Sequence, residues 1–268
     1  MNNAPIGVFD SGMGGLTVLR ALAERLPSES LVYLGDTARL PYGTKSSDTV
    51  RRYAIQASRA LVARGVKMIV IACNTASVSL AAVQDALAPL PVVGVIEPGA
   101  AAAISAAPAG PIAVIATEGT VRNGAYVSAI LARAPDMTIM QQACPLFVPI
   151  AEEGLIDGPI AEGIAHRYLD PLLSAIPKPK CLLLGCTHYP VLKQTIARIA
   201  PEVTLVDSAM TTADAVVSLL RESGLAKADG DRTLRFLVTD APDRFARIGE
   251  NFFGQPIDPG AVELIDLQ

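Results

Sequence analysis

Short apolar runs alternate with longer amphipathic patterns along most of the chain, and this alternation limits the fold more than any other feature. The runs are apolar at consecutive positions, which is typical of strands buried on both faces of a parallel sheet. The predicted strands are 5–10, 31–35, 67–72, 91–96, 111–116, 180–185, 203–206 and 233–238. The predicted helices lie near 14–26, 46–64, 74–88, 97–106, 120–134, 159–175, 190–199 and 209–223. The sequence therefore predicts an α/β protein with mostly parallel sheets covered by helices.

Two segments occur twice in related form. MIVIACNTAS at 68–77 is similar to CLLLGCTHYP at 181–190, and IGVFDSGMG at 6–14 is similar to IAVIATEGT at 112–120. Because both pairs follow in the same order, they indicate two related α/β halves. We expect one domain at 1–96 plus 208–268, which carries Cys73, and a second at 97–207, which carries Cys186.

The composition and charge of the chain argue against several classes of protein. A formal net charge of −4 is unlike a nucleic-acid-binding surface, which is normally basic. The longest apolar stretch, at 92–116, is interrupted by glutamate and proline and does not suit a membrane span. The N-terminal residues lack the features of a signal peptide, and four cysteines within apolar runs are too few for a disulfide framework. We therefore expect a cytoplasmic protein that binds neither nucleic acid nor membrane.

Cys73 and Cys186 each follow a predicted strand, at the edge of the sheet where parallel α/β proteins bind ligands. Asp10, Ser11 and Thr117 follow other predicted strands and belong to the same edge. A single buried cysteine is more often a small core residue, but two in matched contexts, each followed by hydrogen-bonding side chains, favour a function. Two thiols that face one cleft from opposite sides suit the inversion of a carbon centre, which needs a base on one face and an acid on the other.

The remaining cysteines and the histidines differ in their surroundings. Cys144 and Cys181 lack the matched context and are predicted to be core residues, and no second cysteine pair completes a metal site with Cys181 and Cys186. His188 follows Cys186 by two positions, where an imidazole stabilises a thiolate or relays its proton. His166 lies in a helical pattern and is predicted to be a surface residue.

The glycine-rich segment DSGMGG at 10–15 lacks both the Lys-Ser/Thr of a phosphate-binding loop and the spacing of a dinucleotide fingerprint. Its backbone amides, at the start of a predicted helix, suit a small carboxylate instead, and so do those of the PYG turn at 41–43. Pro-Tyr-Gly is also a common turn, so this motif alone decides nothing. Asp10 is either an acid at the site or a cap of the next helix, and Glu152 is ambiguous by itself.

Five segments together, FDSGMGG, YLGDTARLPYG, ACNTAS, GVIEP and LGCTHYP, resemble the aspartate/glutamate racemase family in its glutamate-specific form. The similar segments run in order from residue 6 to about residue 209. The resemblance implies two domains related by pseudo-twofold symmetry, with the active site in the cleft between them. It also implies a racemase that needs no cofactor or metal, makes D-glutamate from L-glutamate for peptidoglycan, and forms a homodimer.

The resemblance further implies roles for particular residues. Cys73 acts as the acid/base on the D-enantiomer and Cys186 on the L-enantiomer, with Asp10, His188 and Glu152 as helpers. Substrate contacts are expected from Asp10, Ser11, Tyr42, Gly43, Asn74, Thr75, Thr117, Thr187 and His188. The forms CNTAS and CTHYP after the two cysteines are those of glutamate-specific members, which makes an aspartate-type racemase the alternative within the family.

Two other functions stay open at this point. A cysteine hydrolase would use Cys186 as nucleophile and His188 as base, but it leaves the matched Cys73 without a role. A non-catalytic amino-acid-binding protein of two hinged halves needs neither thiol, and the absence of an export signal argues against it. Racemisation requires both thiols, hydrolysis requires one and binding requires none. Titration of the thiols therefore discriminates between these functions.

Overall fold

The computed structural model of the protein describes residues 3–227 and 230–267, which form two β-sheets covered by helices. The strands are β1 (Ile6–Asp10), β2 (Leu31–Gly35), β3 (Met68–Ile71), β4 (Val92–Gly94), β5 (Ile112–Ala116), β6 (Ile139–Ala143), β7 (Cys181–Gly185), β8 (Thr204–Asp207), β9 (Leu234–Val238) and β10 (Val262–Leu264). The helices are α1 (Leu16–Arg25), α2 (Ser47–Val62), α3 (Asn74–Ser77), α4 (Leu80–Leu87), α5 (Ile96–Ala106), α6 (Glu118–Asn123), α7 (Ala125–Leu131), α8 (Phe147–Glu152), α9 (Gly158–Leu173), α10 (Lys193–Ile199), α11 (Ser208–Glu222) and α12 (Pro242–Phe253). Every strand pairing in the described ranges is parallel, which confirms the predicted fold class.

The larger sheet has the strand order β10-β9-β2-β1-β3-β4, and the smaller sheet has the order β6-β5-β7-β8. Strands of the larger sheet come from 6–94 and 234–264, and those of the smaller sheet come from 112–207. Helix α11 packs against both α1, beside the larger sheet, and α5, beside the smaller sheet. The division into domains at 1–96 plus 208–268 and at 97–207 stays a prediction.

Both faces of the larger sheet are buried. Val8 belongs to a core formed with α1, α11 and α12, whereas its neighbour Phe9 packs into a second core with α2 and α4. Successive side chains of a strand point to opposite faces, so a strand with a core on each side is apolar at consecutive positions. The apolar runs in the sequence follow from this arrangement.

The smaller sheet is covered on both faces in the same way. Ile115 and Leu184 pack with residues of α8 and α9, and Val114 and Leu183 pack with residues of α5 and α7. The carboxyl ends of its central strands are level, because Ala116 of β5 pairs with Gly185 of β7. Thr117 and Cys186 are the next residues of these two strands, and they therefore emerge side by side.

Four elements are missing from the sequence prediction. Strand β6 has two glutamines, Gln141 and Gln142, and is only half-buried, so it forms no apolar run. Strand β10 has three residues and is largely exposed. Helix α8 has six residues with Pro149 among them, and helix α12 follows the last predicted strand directly.

Three predicted helices are interrupted. The segment 74–88 forms α3 and α4 with a break between Ser77 and Leu80, and the segment 120–134 falls into α6 and α7. Gly124 separates α6 from α7 with φ of 71°, a left-handed conformation that favours glycine and ends a helix. The segment 190–199 begins with the 3₁₀ turn Tyr189–Leu192 before α10.

A buried ion pair joins the segment after α11 to the base of the larger sheet. Lys67 Nζ lies 2.6 Å from Glu29 Oε2, and the two side chains are 0% and 3% exposed. Lys67 also donates to the Leu225 carbonyl, and the Lys227 amide donates to Glu29. Because both charges are desolvated, each depends on the other and on these backbone groups.

Replacement of Lys67 by methionine is expected to lower the free energy of unfolding by about 3–5 kcal/mol, because it leaves the Glu29 carboxylate buried without its cation. Urea denaturation followed by circular dichroism measures this loss. Lys178→Met, at an exposed lysine, is the control and is expected to change stability by less than about 0.5 kcal/mol. Equal stability of the two variants would contradict a structural role for the pair.

Candidate active site

The carboxyl ends of the two sheets meet at a buried group of polar side chains. The hydroxyls of Thr75 and Thr117 lie 3.0 Å apart, although one residue follows β3 of the larger sheet and the other follows β5 of the smaller sheet. On the other side of the group, the Thr17 hydroxyl donates to the Thr187 carbonyl over 3.0 Å. These contacts place the strand ends of one sheet opposite those of the other.

Cys73 is the first of the two predicted catalytic thiols and is 5% exposed. Its Sγ accepts a hydrogen bond from the Ala76 amide at 3.4 Å, so the thiol caps the short helix α3. The thiol also lies 3.4 Å from the Ser11 hydroxyl. Burial, together with the negative charge of Asp10, raises the Cys73 pKa to about 12 although the Ser11 and Ala76 hydrogen bonds oppose the rise. The protonated thiol is therefore the resident form.

Cys186 is the second predicted thiol, is also 5% exposed, and has a different partner. Its Sγ lies 3.9 Å from Nδ1 of His188, and Nε2 of the same ring lies 3.2 Å from Glu152 Oε1. Burial alone would lower the His188 pKa, but the hydrogen bonds to Cys186 and Glu152 raise it to about 10. His188 is therefore an imidazolium at neutral pH, placed between a thiol and a carboxylate.

Glu152 completes this series of contacts. Its second oxygen, Oε2, accepts a hydrogen bond from Arg244 at 3.0 Å. Burial favours the neutral acid, but the hydrogen bonds from His188 and Arg244 outweigh it and hold the Glu152 pKa below its usual value. The sequence left Glu152 ambiguous, and the structure places it at the imidazole of His188.

Asp10 ends β1 and is completely buried. Its Oδ2 accepts a hydrogen bond from the Gly12 amide at 2.9 Å, while its Oδ1 has no hydrogen-bond partner among the described residues. Burial raises the Asp10 pKa, although the charge of His188 and nearby amides act against the rise. The Cys73 thiol donates its hydrogen bond to the Ser11 hydroxyl, and the role of Asp10 as a helper of Cys73, which the resemblance implied, stays a prediction.

The glycines of DSGMGG allow a close approach of backbone to the site. A Cβ atom on Gly14 would lie 2.3 Å from Nδ1 of His188, and a Cβ on Gly15 would lie 2.4 Å from Cβ of Asp10. Neither position has room for a larger residue. This segment therefore packs the start of α1 against the imidazole and the carboxylate.

Hydroxyl and amide groups line the other side of the two thiols. Thr120 forms a cluster with Thr75 and Thr117, since its hydroxyl lies 3.3 Å and 3.1 Å from theirs. Asn74 donates to the Tyr126 hydroxyl at 2.7 Å, and its Oδ1 is buried without a hydrogen-bond partner in the described residues. Thr75, Asn74 and Thr187 are all buried. They supply several buried hydrogen-bond donors and acceptors beside the thiols.

Tyr42 and Gly43 form the start of a 3₁₀ turn beside this cluster. A Cβ atom on Gly43 would lie 3.0 Å from Cβ of Thr117, so the turn packs directly on the end of β5. The Tyr42 hydroxyl donates to the buried Asp36 carboxylate, which also accepts from Arg39 at 2.7 Å. Asp36 fixes this turn, and it is the backbone of the turn that lies next to the threonines.

Several residues at the site escaped the sequence prediction. Thr120 and Tyr126 are hydrogen-bonded to predicted residues, Asp36 holds the turn at 42–44, and Arg244 and Phe252 come from α12. Thr120 belongs to the repeated segment and could have been found there. Arg244 and Phe252 lie in a tail that carries no motif.

The predicted core and surface residues lie as expected. Cys144 and Cys181 are completely buried within the cores of the smaller sheet, and His166 is exposed and paired with Asp170 on the surface of α9. Among the described residues, no group of three or more His, Cys, Asp or Glu side chains could hold a metal ion. None of the helices in the described ranges is long and apolar enough to cross a membrane.

The chain is similar to several known proteins. The family model for Asp/Glu/hydantoin racemase matches residues 6–216. A glutamate racemase of Geobacter metallireducens is 48% identical over 98% of this chain and 97% of its own length, and one of Neisseria meningitidis is 44% identical over the same shares. The structure of glutamate racemase from Francisella tularensis in complex with D-glutamate superimposes with a TM-score of 0.93 at 38% identity, over 100% of this chain and 99% of that one. The chain therefore belongs to the Asp/Glu/hydantoin racemase family, a family of isomerases, and within it to the glutamate racemases.

Proposed function

We propose that this protein interconverts L- and D-glutamate by proton transfer at Cα between two thiols, without a cofactor. The observation that supports this mechanism best is the matched position of Cys73 and Cys186. Each follows the end of an interior strand, one in each sheet, and both are buried. A thiol on each side of one carbon is what inversion by proton transfer requires.

In this mechanism Cys186, as the thiolate, removes the Cα proton of L-glutamate. The electron pair of the broken C–H bond passes to the α-carboxylate, and the Cys73 thiol then donates its proton to the opposite face. D-glutamate follows the reverse route, with Cys73 as base and Cys186 as acid. His188 stands next to Cys186 as an imidazolium, so its ring N–H is placed to donate to the sulfur during this step.

The orphaned acceptors of the site support the binding of an amino acid. Asp10 Oδ1 and Asn74 Oδ1 are buried without partners among the described residues, which is costly in the absence of a donor. The α-ammonium of glutamate would supply such donors, and its positive charge would also favour the Cys73 thiolate. We propose that Ser11, Thr75, Thr117, Thr187 and the backbone at Tyr42–Gly43 bind the two carboxylates.

The remaining parts of the proposal rest on family resemblance. We propose that the product D-glutamate serves peptidoglycan synthesis and that the enzyme acts as a homodimer in the cytoplasm. The hydrolase alternative, with Cys186 and His188 as a pair, has the observed 3.9 Å contact in its favour. It still leaves Cys73 without a function, and the racemase mechanism uses both thiols.

The fate of hydrogen at Cα tests the proposed mechanism. When L-glutamate reacts in heavy water, D-glutamate formed early should carry deuterium at Cα, because Cys73 has exchanged its proton with solvent. Recovered L-glutamate should carry almost none, and D-glutamate as substrate should give the mirror pattern. Proton NMR of the separated enantiomers at low conversion measures both. Retention of protium in the product would show that one base serves both faces.

Cys73→Ala and Cys186→Ala are each expected to lower kcat/KM by about 100-fold to 10,000-fold, the usual contribution of one general acid or base. The loss should be equal in both directions, since the two enantiomers have the same free energy. Cys144→Ala and Cys181→Ala are matched controls that remove buried thiols outside the site. Circular dichroism with each enantiomer measures the rates, and a Cys73→Ala enzyme with an undiminished kcat/KM would contradict the two-thiol mechanism.

Glutamate is expected to react roughly 100-fold better than aspartate in kcat/KM, because a side chain shorter by one methylene leaves buried polar partners of the distal carboxylate unpaired. The forms CNTAS and CTHYP after the thiols motivate this expectation. Parallel assays of both amino acids at equal enzyme concentration measure the ratio. Comparable values for the two substrates would favour an aspartate-type or broadly specific racemase.

A further inference from the structure

Helix α12 brings an arginine to the far end of the contacts that begin at Cys186. Arg244 lies in the first turn of α12 and donates to Glu152 Oε2 at 3.0 Å, while the His188 ring meets the other oxygen at 3.2 Å. We propose that Arg244 is a positioning residue for this thiol: it holds the Glu152 carboxylate, which in turn holds His188 against Cys186. This inference rests on the proposed function, and it assigns a role to a part of the chain beyond the residues 6–216 that match the family model.

The geometry of the carboxylate supports a positioning role. Glu152 is the last residue of the six-residue helix α8, and its side chain is free to rotate unless something fixes it. Arg244 and His188 bind different oxygens, so together they fix both the position and the tilt of the carboxylate. With Arg244 absent, one hydrogen bond remains, and the carboxylate can turn about it.

The helix that carries Arg244 is itself held firmly. Phe245, the residue after Arg244, and Ile248, one turn further along α12, are buried in the core of the larger sheet. Phe252 lies two turns further along and packs edge-on against the His188 ring, with ring centroids 5.0 Å apart. One helix therefore contacts both the imidazole and the carboxylate that binds it, and it fixes their separation.

The charges around Glu152 show what Arg244 changes. The carboxylate faces a small cavity of about 190 Å³ lined by Glu152, Glu153, Arg244, Arg247, Ile248 and Asn251. Two charged groups, His188 and Arg244, are hydrogen-bonded to the Glu152 carboxylate. Arg247 and Glu153 line the cavity but form no hydrogen bond with this carboxylate. Arg244 is one of the two groups that hold the Glu152 pKa below its usual value. Removal of this arginine is therefore expected to raise the Glu152 pKa.

The other thiol has a different support. Near Cys73 the carboxylate is Asp10, which accepts from the Gly12 backbone amide instead of an arginine. Arg244 thus serves one thiol only. The free energies of the two enantiomers are equal, so its loss must lower kcat/KM equally in both directions, and any difference between the directions has to appear in kcat and KM separately.

The test compares three variants of the full-length enzyme. Arg244→Gln is expected to lower kcat/KM about tenfold, as for loss of one hydrogen bond to a charged group. It should also move the acid limb of the pH profile upward, since Glu152 then takes up its proton at higher pH. Arg244→Lys keeps the charge and should recover part of both effects. Arg247→Gln removes a charge from the same helix and cavity without a bond to Glu152, and it should leave the profile unchanged.

A second measurement separates this inference from the proposed function. The Glu152 pKa is measured by carbon NMR of protein with labelled glutamate, with Glu152→Gln to assign the signal. If the unmodified enzyme does not racemise glutamate, the proposed function fails. A rise of the Glu152 pKa in Arg244→Gln but not in Arg247→Gln would still support the contact between Arg244 and Glu152. An unchanged acid limb of the pH profile and an unchanged Glu152 pKa in Arg244→Gln would overturn the positioning role of Arg244. A loss of activity without a change in the profile or rescue by lysine would also overturn it, because a merely structural role gives that result.

Discussion

The contact between Gly14 and the His188 ring determines how closely the two sheets approach. A Cβ atom at position 14 would lie 2.3 Å from Nδ1 of His188 and 2.6 Å from the Thr187 hydroxyl. The backbone before α1 therefore packs directly on the atom that faces Cys186. On the opposite side of the site, a Cβ on Gly119 would lie 2.7 Å from the Gly43 carbonyl, so the same constraint applies there. Larger residues at either position would push the strand ends apart and separate the two thiols.

The surroundings of the two thiols differ although the strands that carry them are similar. Cys73 has neutral hydrogen-bond partners, and burial and the nearby Asp10 raise its pKa to about 12. Cys186 faces the imidazolium of His188. A racemase tolerates this asymmetry, since each thiol serves one face and the free energies of its two substrates are equal. The asymmetry also concerns the source of positive charge near each sulfur. His188 of the protein supplies it near Cys186, whereas the substrate ammonium would have to supply it near Cys73.

The sequence predicted those features that depend on local patterns. All the predicted strands are present, and most of them are buried on both faces and therefore produce apolar runs. Polar residues at their ends do come together. Gln141 and Gln142 concealed β6, since an edge strand that is half-buried needs no apolar run. Arg244 could not be predicted, because its contact with Glu152 joins residues 92 positions apart and depends on how α12 packs. The hydrogen bond from the Cys73 thiol to Ser11 likewise depends on side-chain direction, which motifs do not specify.

Burial of both thiols has a consequence for how a substrate reaches them. Only 5% of each cysteine is exposed, so a substrate that reaches the thiols has to displace contacts between the strand ends of the two sheets. Two of the contacts that close the site are neutral hydrogen bonds, one between the Thr75 and Thr117 hydroxyls and one from the Thr17 hydroxyl to the Thr187 carbonyl. Each such bond contributes about 1 kcal/mol, so thermal motion can break them. Helix α11, by contrast, packs against both α1 and α5 outside the site. The Arg244–Glu152 ion pair and the Phe252–His188 ring contact also close the site, so opening it requires the loss of a charged and an aromatic contact as well as the neutral hydrogen bonds.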